Sequence, residues 1–323
     1  MRNNRHGLVQ HLQSWAKLHH VDADAILVVG VSGGLDSMVL AETCLRAGFN
    51  LHVAHINYGL RGGESDGDAT AVKSWCEAAG IPFFAHQAKI EKAPDGIQAE
   101  ARKIRYAFFE SLRIQLAETT GLNAYVVTAH HANDQAETVM LQLIRSSNPL
   151  SLSGMRPHDA KRHLLRPFLT ITKSQLAAYA RDWAVSFRED SSNAKHDYLR
   201  NRIRHEALPQ MESMREGTNE HLARWAERFQ PIATYLQSEI EQARSRCWES
   251  LEDRGVLHLD AWVDEPLHME VLFGLAQDHK IGARAVREVS ALTERLVESG
   301  AAFQTAHVRI VRKKRTLHWT VLP

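Results

Sequence analysis

Residues 25–31, AILVVGV, run apolar without a break and stop at Ser32-Gly33-Gly34. A run with no polar alternation does not suit a sheet with one wet face. It fits a strand covered on both faces, as in a parallel sheet with crossover helices above and below. Beyond Asp36 the spacing changes: Met38, Leu40, Ala41, Cys44 and Leu45 recur at near-helical intervals over 36–47. The pattern then repeats. LHVAHINY (51–58), IPFFAHQA (81–88) and NAYVVTAH (123–130) read as strands, and 66–79, 98–118 and 133–145 as helices. Such alternation predicts right-handed crossovers and an α/β fold built on a doubly wound parallel sheet. Ligands on these sheets sit beyond the carboxyl ends of the strands. Three of those ends are rich in reactive groups: SGGLDS, HINYGLRGGESD and TAHHANDQAET.

The chain has 323 residues, enough for two domains. The texture changes after about residue 215, where a heptad-like helical pattern begins and no Gly/Pro linker marks the join. We expect a catalytic domain over 1–215. A smaller, mainly helical accessory domain is expected over 216–323, with a short strand at GVLHLDA and a basic hairpin at its end, AHVRIVRKKRTLHWTVL. Lys+Arg is 39 and Asp+Glu 38, so a nucleic-acid partner would have to be met by a local basic patch. The 3 cysteines form no C-x-x-C, which argues against a disulfide framework, a zinc ribbon or an iron–sulfur cluster. The first twenty residues hold no apolar secretory core, and no run reaches the ~18 apolar residues of a membrane helix. A cytoplasmic enzyme with no membrane partner is the expectation.

A Ser-Gly-Gly turn between a buried strand and a helix can aim several backbone N–H groups at one point, because glycine accepts φ > 0 and lets a ligand come close. The helix N-terminus adds partial positive charge, so the turn is an anion site. It lacks the lysine of the G-x-x-x-x-G-K-[ST] phosphate loop. Among the other reactive residues, Asp134 and Glu137 lie three apart and share a face of a helix starting near Asn133. Two such carboxylates suit an ammonium group; they equally suit the first turn of any helix, and with His130 and His131 a metal. Adjacent histidines at a strand end point to opposite sides, so His130 and His131 are not expected to share one ligand. Arg102 and Arg105 share a face of the long helix, beside Tyr106.

SGGLDS resembles the PP-loop of the N-type ATP pyrophosphatases, a Rossmann-like group. That resemblance implies that Ser32, Gly33, Gly34, Leu35, Asp36 and Ser37 bind ATP, that ATP is cleaved between the α and β phosphates, and that Asp36 holds Mg²⁺ and takes part in catalysis. Around the loop stand HINYGLRGGESDGDA (55–69), EARKIRYAFF (100–109), TAHHANDQAETVMLQLIR (128–145), LSGM (152–155), LLRPFL (164–169) and REDSSNAKHDYLRNRIRHEALP (188–209), in that order. The series is similar to the tRNA(Ile)-lysidine synthetase family over roughly 25–210, with one departure at Ser146, where the family commonly has Gly. It implies a ligase that joins free L-lysine to C2 of the wobble cytidine of a minor isoleucine tRNA with a CAU anticodon, through an adenylated C2 carbonyl. AMP and pyrophosphate are the by-products.

In that setting Asp134 and Glu137 are expected to hold lysine, with Arg202, and Arg105 and His130 to act at the reacting centre. Arg61, Arg200 and Arg204 are candidate tRNA contacts, as are Arg312, Lys313, Lys314 and Arg315 in the terminal hairpin. Each of these basic residues would also suit a solvated surface. A homodimer is compatible with the sequence and not required by it. The length resembles the short form of the family, without its further C-terminal domain. The competing readings are a tRNA thiolase, which needs a thiol pair or iron–sulfur ligands, a small-molecule adenylating ligase of the NAD- or GMP-synthetase kind, and an inert RNA-binding protein.

Overall fold

The structure, a computed structural model, describes residues 7–59, 63–88, 90, 96–145, 148–188, 198–294 and 296–322. The chain divides into two compact units, 1–230 and 231–323.

The first unit opens with α1 (Gly7–Leu18) and then alternates: β1 (Ile26–Gly30), α2 (Leu35–Ala47), β2 (Asn50–Asn57), α3 (Gly63–Ala79), β3 (Phe83–Gln87), α4 (Ile97–Thr120), β4 (Ala124–Val127) and α5 (Ala132–Arg145). Each expected strand and helix of residues 25–145 is present, with ends shifted by at most a few residues. Two short strands follow, β5 (His158–Asp159) and β6 (Leu164–Leu165), then α6 (Lys173–Asp182). Next come α7 (Tyr198–Arg202), a π-helical turn over Ile203–Ala207, α8 (Leu208–Met214) and α9 (Thr218–Cys247). The sheet order is β3-β2-β1-β4-β6-β5, parallel except where β5 meets β6.

β1 shows why its sequence is so apolar. Ile26 and Val28 enter one core layer with Phe109 and Leu112 of α4; Leu27 and Val29 enter the other with Met38 and Leu40 of α2. Fully burying one such side chain contributes roughly 1.5–3 kcal/mol. Gly30, the last residue of β1, makes room for the Phe109 ring, since a Cβ there would lie 2.5 Å from it. From β1 the chain crosses to β2 on one edge, while β4 takes the other edge. The strand order therefore reverses at β1, and a crevice opens where the carboxyl ends of β1 and β4 stand side by side.

The second unit contains the rest of α9, β7 (Trp248–Leu251), β8 (Arg254–His258), α10 (Leu259–Val263), α11 (His268–Asp278), α12 (Ala283–Ala291), β9 (Ala302–Gln304), β10 (Val308–Lys313) and β11 (Thr316–Val321). The strand expected at GVLHLDA is β8 and the expected hairpin is β10–β11; two more strands complete an antiparallel sheet of order β7-β8-β11-β10-β9. The unit thus holds more sheet than its helical texture conveyed. The division falls at 230/231, within α9 rather than near 215. A continuous helix crosses it, which is why no linker composition marks the place. Trp319 is fully buried against Trp248, ring centroids 5.6 Å apart and nearly perpendicular. No helix among the described residues is long and apolar enough to cross a membrane.

Arg312 corrects an expectation. It is 6% exposed, and its guanidinium donates to the carbonyls of Leu292, Glu294 and Lys314. Burying a guanidinium is tolerable only with such partners. Arg312 therefore braces this unit and is not an RNA contact. Lys313, Lys314 and Arg315 are exposed, and Arg315 pairs with Asp260.

Candidate active site

A cavity of about 1000 Å³ occupies the crevice. One wall is the turn after β1. Gly33 has φ +90°, a conformation that glycine adopts without the steric penalty of a side chain, and Gly34 is the N-cap of α2. The Ser32 N–H donates to Ser37 Oγ at 3.1 Å, the Gly34 N–H to Ser32 Oγ at 3.3 Å, and Ser37 Oγ donates to the Gly34 carbonyl at 3.0 Å. Amides and hydroxyls thus converge at a helix N-terminus, the arrangement that receives an anion.

The facing wall is the β4–α5 turn, and it is acidic and cationic at once. The half-buried His130 shares a 2.8 Å hydrogen bond with Thr128 Oγ1 through Nδ1. Burial above all, with help from Arg166, Arg102 and Arg105, pushes its pKa down to about 4 against the pull of Asp134. It is a neutral imidazole at pH 7. His131 behaves oppositely. Its Nε2 lies 3.5 Å from both Asp36 Oδ2 and Asp134 Oδ2, so it bridges the turns after β1 and β4. Burial alone would lower its pKa, but the hydrogen bond to Asp36 and the charges of Asp134 and Asp36 outweigh burial and raise it. For Asp134 burial alone would raise the pKa. His131, His130, the His131 backbone N–H at 3.0 Å and Arg204 outweigh it and hold the carboxyl below its usual range.

Glu137 is 2% exposed and held by two arginines. Arg204 forks onto it, Nε to Oε1 at 2.5 Å and Nη2 to Oε2 at 2.9 Å, and Arg200 Nε donates to Oε2 at 3.0 Å. Arg204 also reaches Asp134 at 3.4 Å, and its pKa is raised by the Glu137 bond first and the carboxylate charges after. This reverses the expected division of the arginines. Arg200 and Arg204 turn toward the acidic pair, while Arg202 lies on the outer face and pairs with Glu206 at 3.0 Å. Arg200 and Arg204 keep the shared face that helical spacing predicts; what differs is its direction, which is set by Glu137.

Ser32, Gly34, Leu35, Asp36, Ser37, Arg105, His130, Asp134 and Glu137 all line the one cavity, as does Arg204. Gly33 contributes its conformation. Tyr106 joins them, with the Arg102 guanidinium 4.9 Å and that of Arg105 6.0 Å from its ring centroid. Arg61 and Ser146 lie outside the described residues. Lys173 and Arg188, which the sequence did not single out, also line the cavity, as does His131, which was set aside in favour of His130. For His131 the signal was its place one residue from His130, and the alternation of a strand end was applied to a turn where both imidazoles reach the cavity. Lys173 starts α6, its backbone N–H on Asn133 Oδ1 at 3.1 Å.

The residues fit a magnesium ion shared with a phosphate ligand. Asp36 Oδ1 is buried, lines the cavity and lacks a hydrogen-bond partner. Mg²⁺ is commonly bound by one or two carboxylates together with substrate phosphates. Among the described residues no group of three His, Cys, Asp or Glu gathers into an all-protein metal cage.

Sheet order, glycine turn and crevice define the PP-loop class, and the PP-loop domain family model matches residues 8–211. Within that class the chain belongs to the tRNA(Ile)-lysidine synthase family. It is similar to the tRNA(Ile)-lysidine synthase of Parabacteroides distasonis, 30% identical over 95% of this chain and 68% of that protein. The Porphyromonas gingivalis tRNA(Ile)-lysidine synthase is also 30% identical, over 94% of this chain and 64% of that protein. The chain spans 64% or less of the length of several such relatives, down to 50%. Among solved structures, the U34-tRNA thiolase NcsA of Methanococcus maripaludis aligns over 70% of this chain and 78% of that one, with a TM-score of 0.54 and 18% identity, a likeness of fold.

The His131 bridge has a pH signature. A raised pKa means that its ion pairs stabilise the fold fully below the unfolded value, about 6.5, and are lost as pH rises through the folded value. In divalent-free buffer, the Tm of wild type should exceed that of His131→Gln near pH 6, by about 2–4 °C for each kcal/mol the bridge contributes. The gap should close toward pH 9. Thermal melts across that range check it; a gap that widens with pH would contradict the bridge.

Proposed function

We propose that this chain joins free L-lysine to C2 of the wobble cytidine in a minor isoleucine tRNA bearing a CAU anticodon, consuming ATP and releasing AMP and pyrophosphate. One observation carries the reading: an anion-binding turn from β1 and an acidic pair from α5 share a single cavity. A nucleotide's phosphates and an amino acid's ammonium group can therefore be brought to one place. The turn would take the β and γ phosphates. Magnesium, held by Asp36, would neutralise charge on the departing pyrophosphate. Arg105 would face charge developing at the cytidine oxygen as it attacks the α phosphorus. The lysine ε-amine would then form its bond to C2 as the C2–O bond to AMP breaks. His130, uncharged at pH 7, would stand beside the adenylate without repelling the incoming cation.

Lysine binding must compete with Arg200 and Arg204 for Glu137 and Asp134, so those arginines would set the affinity of the amine. Arg202, paired outward, is left to the RNA side. The exposed Lys313, Lys314 and Arg315 offer salt-sensitive contacts to tRNA phosphates. We place the activity in the cytoplasm, where the tRNA would be met. Against sulfur transfer stand the thiols: Cys44 and Cys76 are fully buried, with pKa values pushed up by burial to about 12 and about 11.

The deciding experiment is ATP-dependent transfer of radiolabelled lysine to the CAU isoleucine tRNA, with the methionine tRNA as control. Wild type should label only the former. Asp36→Ala should lower AMP release by on the order of 10²–10³ and leave tRNA binding in a gel shift intact. Normal turnover in that variant would remove Asp36 from the chemistry.

Glu137→Gln should raise the KM for lysine ten- to hundredfold, the worth of a charge-assisted contact of about 1.5–3 kcal/mol, with little change in the KM for ATP. An equal rise for both substrates would point to collapse of the Arg200–Glu137–Arg204 cluster instead.

Changing Lys313, Lys314 and Arg315 together to Gln should flatten the slope of log K for tRNA against log salt by about 0.7–0.9 per lost phosphate contact. The kcat at saturating tRNA should stay unchanged. A salt titration with the same slope in both proteins would make the tail a solvated hairpin.

A further inference from the structure

The amides of the phosphate turn face the cavity because its carbonyls are held elsewhere. The Val31 carbonyl lies 2.8 Å from Nδ1 of the buried His55; since a carbonyl only accepts, Nδ1 carries the proton. The Gly33 carbonyl accepts the backbone N–H of Arg188 at 2.9 Å. In a trans peptide the C=O and N–H of one unit point opposite ways. Anchoring Val31 O and Gly33 O therefore turns the amides of Ser32 and Gly34 the other way, toward the hydroxyls of Ser37 and Ser32 at the cavity wall.

The Gly33–Gly34 peptide is the weak member. It has glycine on both sides, so its plane rotates at little steric cost. Rotated, it would present a carbonyl to the anion in place of an N–H. Among the described residues the carbonyl side is restrained by the backbone N–H of residue 188, and residue 188 is itself tied down. Arg188 Nε lies 2.9 Å from Asp68 Oδ1 of α3, and Asp68 is 7% exposed. Gly67 makes room for the guanidinium, since a Cβ there would collide with it. Asp68 also underlies the turn, its Cβ 3.7 Å from where a Gly33 side chain would begin.

We propose that Asp68 and Arg188 act as a clasp on the Gly33–Gly34 peptide and are positioning residues for the phosphate turn. The ion pair fixes residue 188, the backbone N–H of residue 188 fixes the Gly33 carbonyl, and the carbonyl fixes the direction of the Gly34 amide. Arg188 opens the REDSSNAK motif and Asp68 closes GESDGD, two stretches that the chemistry above leaves without a role. The inference rests on the reading of this turn as the site of ATP phosphates.

The test is calorimetric binding of magnesium pyrophosphate to the full chain, with the KM for lysine and amide exchange over residues 31–36 measured alongside. Asp68→Asn and Arg188→Ala should each weaken pyrophosphate binding about tenfold, the worth of one charge-assisted hydrogen bond. The double variant should be no weaker than the worse single one, because both changes undo the same link. Arg188→Lys, which can still pair with Asp68, should bind close to wild type. Exchange should quicken at residues 33–34, and the KM for lysine should hold. Loss in Arg188→Ala but not in Asp68→Asn would mean that the guanidinium touches the ligand directly, and would overturn the clasp. Additive losses, or an equal loss for lysine, would overturn it too. Wild type that binds pyrophosphate beside variants that bind equally well would sink the clasp alone. A wild type that does not bind pyrophosphate would remove the phosphate reading and the clasp together.

Discussion

Strand β1 has no solvent face. Its alternate residues enter two different apolar layers, and its edges are taken by β2 on one side and β4 on the other. A strand so enclosed needs helices over both faces, and right-handed crossovers leaving it in opposite directions must separate at its carboxyl end. The crevice is the place where that separation occurs. Two turns then stand side by side although about a hundred residues of chain lie between them. One supplies amides and a carboxylate; the other supplies imidazoles and an acidic pair.

Within the crevice, charge is paired before any ligand arrives. His131 joins Asp36 to Asp134, and Arg200 and Arg204 satisfy Glu137. Without these partners, carboxylates so close to one another and so little exposed would be driven toward protonation. With them Asp134 is held below its usual range, and all three carboxylates keep their positions. On the proposed function, a cationic substrate would enter by exchange, replacing one cation with another, at a site whose geometry already suits a positive charge. Tight preorganisation and adjustable affinity come from the same contacts.

The alternation of apolar runs and helical spacings made the first unit legible, since a parallel sheet writes its burial directly into short stretches of chain. The turn after β1 was equally readable, because its chemistry is local. What failed was long-range or needed a face to be chosen. Arg200 and Arg204 were seen to share a side, but which way it turns depends on Glu137, more than sixty residues away. Arg312 was readable and overlooked: it stands two residues from Ile310 and four from Val308, on the inward side of β10, so period-two alternation buries it. Arg188 carries its influence through a backbone N–H, which no residue type announces. The two additional strands of the second unit, WESL and AFQ, are too short to stand out.

The three cysteines have a consequence of their own. Cys44, Cys76 and Cys247 are fully buried, and burial pushes their thiols to about 12, about 11 and about 11. At neutral pH roughly one thiol in ten thousand or fewer is ionised, and only the thiolate reacts with alkylating agents or oxidants. The folded chain should therefore react slowly with such reagents, with modification waiting for local opening. Two of these thiols lie in the first unit and one in the second, so the order in which they take up a label is a clock that times the opening of each unit separately.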